Sequence, residues 1–231
     1  MKFFFQSTVI WALLFTLSCT HIGKSAPVAV PREFSIQGNA TTLATRGTQT
    51  YYRAIKLDDN TSNKVGTHPT QPELKAGDFS NQWGYYMFPD KEDAMFWGNQ
   101  HKTDASHQFG MVELDFSLPA GVTFYSFPSA NSEWTTFISA NYNPSLSRSA
   151  DRPLLEGKHY SVIEGPMSYT DGSGSYAQET SRVTGKPLTQ LAIVADDGLK
   201  GVTVKKLFVY QGDSNWQGGP PYKTVKLVSE S

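Results

Sequence analysis

From residue 50 onward the chain alternates short runs rich in aromatic and β-branched residues with polar stretches. TYYRAIKL (50–57) reads as a strand, and so does GYYMF after Trp83. FGMVELDFSL (109–118) sets Met111, Glu113, Asp115 and Ser117 against Val112, Leu114 and Phe116, the period of two expected of a half-buried strand. GVTFYSF, HYSVIEG, TQLAIVA, GVTVKKLFVYQG and YKTVKLV predict further strands. Helical spacing is confined to short pieces. Asp90 can cap a helix that carries Ala94, Met95, Phe96 and Trp97. Trp134, Phe137, Ile138 and Tyr142 fall on one helical face, closed by Asn143-Pro144. PELKAGDF predicts a single helical turn stopped by Gly77, and DDGLKG a turn or helical turn in which Asp196 and Asp197 supply a cap.

Between these elements, DDNTSNKVGTHPTQ and YTDGSGSYAQETSRVTG read as polar loops, the second one flexible. Strands dominate and the helices are dispersed. The expected class is α+β, with a mostly antiparallel, split sheet.

The N-terminus changes the picture. A basic start precedes the mostly apolar run FFFQSTVIWALLFTLSC, and small and polar residues follow. This is the pattern of a secretory signal peptide over residues 1–26. Residues 27–48 then form a Pro-, Thr- and Gly-rich arm, and 49–231 a single domain. The exported chain is expected to start between residues 19 and 32, to be extracellular, and to carry no membrane segment of its own. Cys19, the only cysteine, sits in an imperfect lipoprotein-like box within the leader, so the mature domain would hold no disulfide. Removing Lys2 and Lys24 with the leader leaves 18 basic against 21 acidic side chains, a net charge of −3. With no basic run, nucleic acid is not an expected partner. Asn39-Ala-Thr and Asn60-Thr-Ser are glycosylation sequons if the host is eukaryotic. His101, His107 and His159 lack metal-ligand spacing, and no metal is expected. A monomer is expected.

Four stretches, in order, carry a resemblance: YYRA (51–54), GDFSNQWGYYMFPDKEDAMFWG (77–98), WTTFISAN with YSVIEGPM (134–141 and 160–167), and TQLAIVADDGLKGV (189–202). Together they resemble the ADP-ribosyltransferase-like superfamily of secreted toxins and effectors, with its fungal and bacterial relatives. YYRA is similar to the first-strand arginine motif, the second stretch to an aromatic strand followed by a turn and a helix, and the last to the final Gln-bearing strand.

The resemblance implies NAD⁺ as substrate and, for a toxin or effector, a host protein as a possible partner. Splitting the nicotinamide–ribose bond needs a cation for the pyrophosphate. Arg53 is the candidate, because a guanidinium forks onto two oxygens. It needs an aromatic face for the nicotinamide. Tyr85 and Tyr86 are candidates, and since they point to opposite faces of a strand only one can line the cleft. It needs a polar group at the ribose, where Gln190 stands in the position the family gives to Glu or Gln. The chain departs from the acidic pair of well-studied transferases at this point, which favours NAD⁺ hydrolysis, or loss of catalysis, over transfer to a protein. Glu164 could supply the missing charge if its strand lies beside the cleft, and Gln190→Glu is expected to raise turnover.

Plainer roles stand beside these. Arg53 can be an ion-pair residue, Tyr85 and Tyr86 packing residues, Gln190 an edge-strand amide and Glu164 a surface carboxylate. Trp97 and Trp134 are read as core, and Asn141 as ending its helix. Two further readings of the chain are an inactive binding protein on the same fold and, in a different class, a β-sandwich carbohydrate-binding module. Convergence of Arg53, one tyrosine and Gln190 on one cleft would favour the superfamily fold, with or without catalysis, and their scatter would favour the carbohydrate-binding module.

Overall fold

The computed structural model describes residues 47–56, 70, 76–101, 107–143, 145, 152–170, 174–181, 184–212 and 225–231. The leader, most of the arm, both sequons and the 57–69 loop lie outside the described residues.

Aromatic and branched runs form the strands, as their period requires. β1 (Gln49–Lys56), β3 (Gln108–Phe116), β9 (Val202–Gln211) and β10 (Lys226–Glu230) make one antiparallel sheet in the order β1-β3-β9-β10. β2 (Tyr85–Met87), β8 (Thr189–Ile193), β5 (Val162–Pro166) and β4 (Phe124–Ser126) make a second, in the order β2-β8-β5-β4. Only its β4–β5 pair is parallel. The class is α+β and mostly antiparallel.

One core joins the two sheets: Tyr51, Val112, Leu114 and Phe116 from the first meet Tyr85, Met87, Val162, Leu191 and Ile193 from the second. The outer face of each sheet carries a helix. α1 (Lys91–Gln100) packs on the first through a cluster of Phe88, Ala94, Phe109, Met111 and Phe208. This explains why the N-terminal half of β3 is buried on both faces, where alternation predicted one. α2 (Ser132–Tyr142) covers the second through Trp134, Phe137 and Ile138 against Ile163, Ala192 and Val194. Trp134 is buried, and its Nε1 donates to Pro166 O at 3.0 Å.

The first helix starts on Asp90, the cap the sequence nominates, and the second on Asn131. Asp90 accepts from Glu92 N at 2.8 Å, and Asn131 accepts from Trp134 N at 2.9 Å; such caps are worth about 1 kcal/mol each. The buried face of α1 differs from the expected one: Asp93, Ala94, Phe96, Gly98 and Asn99 turn inward, while Met95 and Trp97 are only half-buried. Gly98 allows this, since a Cβ there would strike the Phe109 ring.

Three expectations change. The stretch read as a flexible loop contains a hairpin, β6 (Ser168–Thr170) with β7 (Tyr176–Gln178). α3 (Asp196–Leu199) is capped at Ala195 with no side-chain bond, and Asp197 instead accepts from Ser161 Oγ at 3.0 Å. Asn141 does not end its helix. It is fully buried and donates from Nδ2 to Asp78 O at 2.8 Å, while Asn143 forms the C-cap.

Candidate functional site

The register of β2 against β8 decides where the predicted residues go. Tyr86 pairs with Ala192, and Tyr85 with Ile193. Strand side chains alternate, so Tyr86 and Gln190 share one face of the sheet and Tyr85 lies on the other. Tyr86 and Gln190 open onto a cleft of about 330 Å³. Tyr85 is 0% exposed in the inter-sheet core.

The remaining candidates follow Tyr85. Arg53 pairs with Val112 of β3 on the inner face, is 3% exposed, and lays its guanidinium 4.1 Å from the centre of the Tyr85 ring. Burial pushes the Tyr85 hydroxyl up to about 12, against the opposing pull of Arg53. Glu164 pairs with Leu191, is half-buried, and accepts from Ser126 Oγ at 3.3 Å. The structure therefore brings Tyr86 and Gln190 together at the cleft and sets Arg53, Tyr85 and Glu164 apart from it.

The cleft is organised around a residue that sequence reading passed over. Asp78 lies in the turn between Gly77 and Ser80, 5% exposed. Its Oδ2 accepts from Gln190 Nε2 at 2.5 Å and Ser168 N at 2.7 Å, and its Oδ1 from Ser168 Oγ at 2.7 Å and Tyr142 Oη at 2.9 Å. Burial raises the Asp78 carboxyl above its ordinary range, and the four donors pull the other way. Tyr142, at the end of α2, is raised by its own burial and then by the Asp78 charge. The sequence signal was faint: an acid after a glycine, just before an aromatic run.

Aromatic side chains supply the walls. Tyr86 Oη accepts from Phe79 N at 3.1 Å. Its ring passes between Gly77 and Gly84, and a Cβ at either glycine would collide with it. From α1, Trp97 stacks on His101 with ring centres 4.1 Å apart, and both line the cleft. Tyr142 stacks on Tyr176 of β7 at 5.4 Å. A flat, partly polar ligand suits such a space. Among the described residues that line it, none is Arg or Lys.

No protein-family model and no curated protein matches the chain.

Proposed function

We propose that the protein is a secreted, ADP-ribosyltransferase-like protein whose cleft takes the nicotinamide-ribose end of NAD⁺ and releases nicotinamide slowly, by hydrolysis rather than by transfer to a host protein. One observation carries this reading: Gln190, on the strand that resembles the family's final one, shares a cleft with Tyr86, Trp97 and His101 and is backed by the Asp78 carboxylate. Two packed, mostly antiparallel sheets, and an aromatic strand that turns into a capped helix, support the fold assignment. Helices on both outer faces speak against a carbohydrate-binding sandwich, which would present one of those faces to sugar.

In the reaction the bond from C1′ of the ribose to the nicotinamide nitrogen breaks, and its electron pair leaves with nicotinamide. Water adds to C1′ and its proton goes to solvent. The Gln190 amide orients the ribose. Asp78, one hydrogen bond behind it, stabilises the positive charge at C1′ from a distance. At about 8 Å and an effective dielectric of about 20 this contributes about 2 kcal/mol while Asp78 is ionised. Because all four acceptor positions of Asp78 are occupied, it does not itself attack C1′.

A second reading, a protein that binds a nucleotide or a host protein on the same fold without turnover, is favoured by the burial of Arg53 away from the cleft, which removes the expected pyrophosphate clamp. The exported protein incubated with NAD⁺ separates the two. Nicotinamide release that falls in Gln190→Ala supports hydrolysis, and NAD⁺ binding with no release supports the second reading. Neither binding nor release sinks the nucleotide assignment.

A further inference from the structure

Asp78 draws its donors from the end of α2, from β6 and from β8, segments remote in sequence that converge on this carboxylate. An ionised carboxylate has no hydrogen to give, so the group of Gln190 that faces it is the amide nitrogen. A planar amide then turns Oε1 away from Asp78. Gln190 lines the cleft, and no donor among the described residues reaches Oε1.

We infer that Asp78 is a positioning residue: it holds the Gln190 amide with its oxygen toward the cleft, so that this end of the cleft accepts hydrogen bonds and selects a ligand carrying hydroxyl donors, such as ribose. The identity of the ligand rests on the function proposed above, and the orientation of the amide does not.

Two substitutions separate orientation from charge. In Asp78→Asn, the side-chain oxygen can still accept from Gln190 and Ser168 N. Its NH₂ group then faces the hydroxyls of Ser168 and Tyr142, which can rotate to accept. The amide stays pinned while the charge is gone. Asp78→Ala removes the pin and leaves a buried Ser168 N–H without its acceptor.

The experiment has two readouts on the exported protein. Side-chain amide NMR measures solvent exchange of the Gln190 NH₂. Affinity is measured for NAD⁺ and for analogues lacking the 2′- or 3′-hydroxyl of the nicotinamide ribose. In the wild type and in Asp78→Asn the NH₂ should exchange at least about tenfold more slowly than an exposed glutamine, and at least one deoxy analogue should bind about tenfold more weakly than NAD⁺. Asp78→Ala should lose both the protection and the discrimination. If that variant does not fold, Gln190→Met takes its place and should bind NAD⁺ and both analogues alike. Equal exchange in wild type and Asp78→Ala, or equal affinity of the wild type for NAD⁺ and both analogues, overturns the inference. Absence of NAD⁺ binding to the wild type overturns the nucleotide reading and the ribose selectivity with it, and the amide signal then decides the pin alone.

Discussion

Replacing Gln190 by Glu is the most informative single change, because the structure alters what it should do. From sequence alone the new carboxylate is expected to face the ribose and raise turnover. In the fold, the atom replaced is the one 2.5 Å from Asp78 Oδ2. Gln190→Glu therefore places two carboxylates side by side where Gln190 is 4% and Asp78 5% exposed. With charge centres about 4 Å apart and an effective dielectric of about 20, their repulsion is about 4 kcal/mol. The pair avoids this by keeping one proton, so its upper pKa is raised above the ordinary carboxyl range. Below the ordinary carboxyl range, where the unfolded chain is protonated too, the shared proton replaces the lost hydrogen bond and the variant should be nearly as stable as wild type. As pH rises past that range, folding has to take up a proton, and above the pair's upper pKa it has to accept the repulsion. For a domain of this size about 4 kcal/mol corresponds to about 8–16 °C in Tm. Thermal melts from pH 5 to 9 should show Gln190→Glu falling away from wild type as pH rises. The double variant Asp78→Asn/Gln190→Glu, which holds a single carboxylate at this contact, should not show that pH-dependent loss. Nicotinamide release should increase in the double variant rather than in the single one. A Gln190→Glu protein whose Tm tracks wild type across the whole range refutes the contact and the argument built on it.

Arg53→Lys should lower stability by about 2 kcal/mol, since a buried stack on Tyr85 is lost, while NAD⁺ affinity stays within about twofold; paired calorimetry and thermal melts check this, and a selective loss of affinity would return Arg53 to the ligand. Gly77→Ala should displace the Tyr86 ring at a cost of about 1–3 kcal/mol and weaken cleft binding, read by chemical denaturation and titration. Asp78 and Asp93 both have carboxyl groups raised by burial, so the folded state keeps protons that the unfolded chain has already released. Their contribution to stability is complete below 3.8, the ordinary aspartate value, and is lost as pH rises toward the raised values; Asp78→Asn should flatten part of that slope in melts across the window.

What was legible in the sequence was local. Alternation in 112–116, the cap at Asp90 and the apolar face of 134–138 each depend on neighbours within a few residues, and each forms where expected. The opposed directions of Tyr85 and Tyr86 also follow from strand geometry alone, but which of them meets the cleft depends on the register with β8. Asp78 was illegible for the same reason on a larger scale. In its own segment it is one polar residue of a turn, and its burial comes from Tyr142, Ser168 and Gln190, which are 64 to 112 positions away. The β6–β7 hairpin was hidden by composition, because its strands are short and carry polar residues that a solvated loop would carry equally well.

The order β2-β8-β5-β4 also dictates when the fold can close. β2 has no neighbour in its sheet until β8 arrives, and Tyr85 waits for Ile193. β3 likewise waits for β9, and the first sheet is complete only with β10. A chain emerging from its N-terminus therefore holds two unfinished sheets until about four-fifths of it has been made. Closing such distant pairs is slow, because the entropy of the long intervening loop is lost before any contact compensates for it. Under the export proposed above, this lateness would be an advantage. The strand that carries Gln190 enters late, with only β9 and β10 to follow, so the chain would stay threadable until most of it has been made.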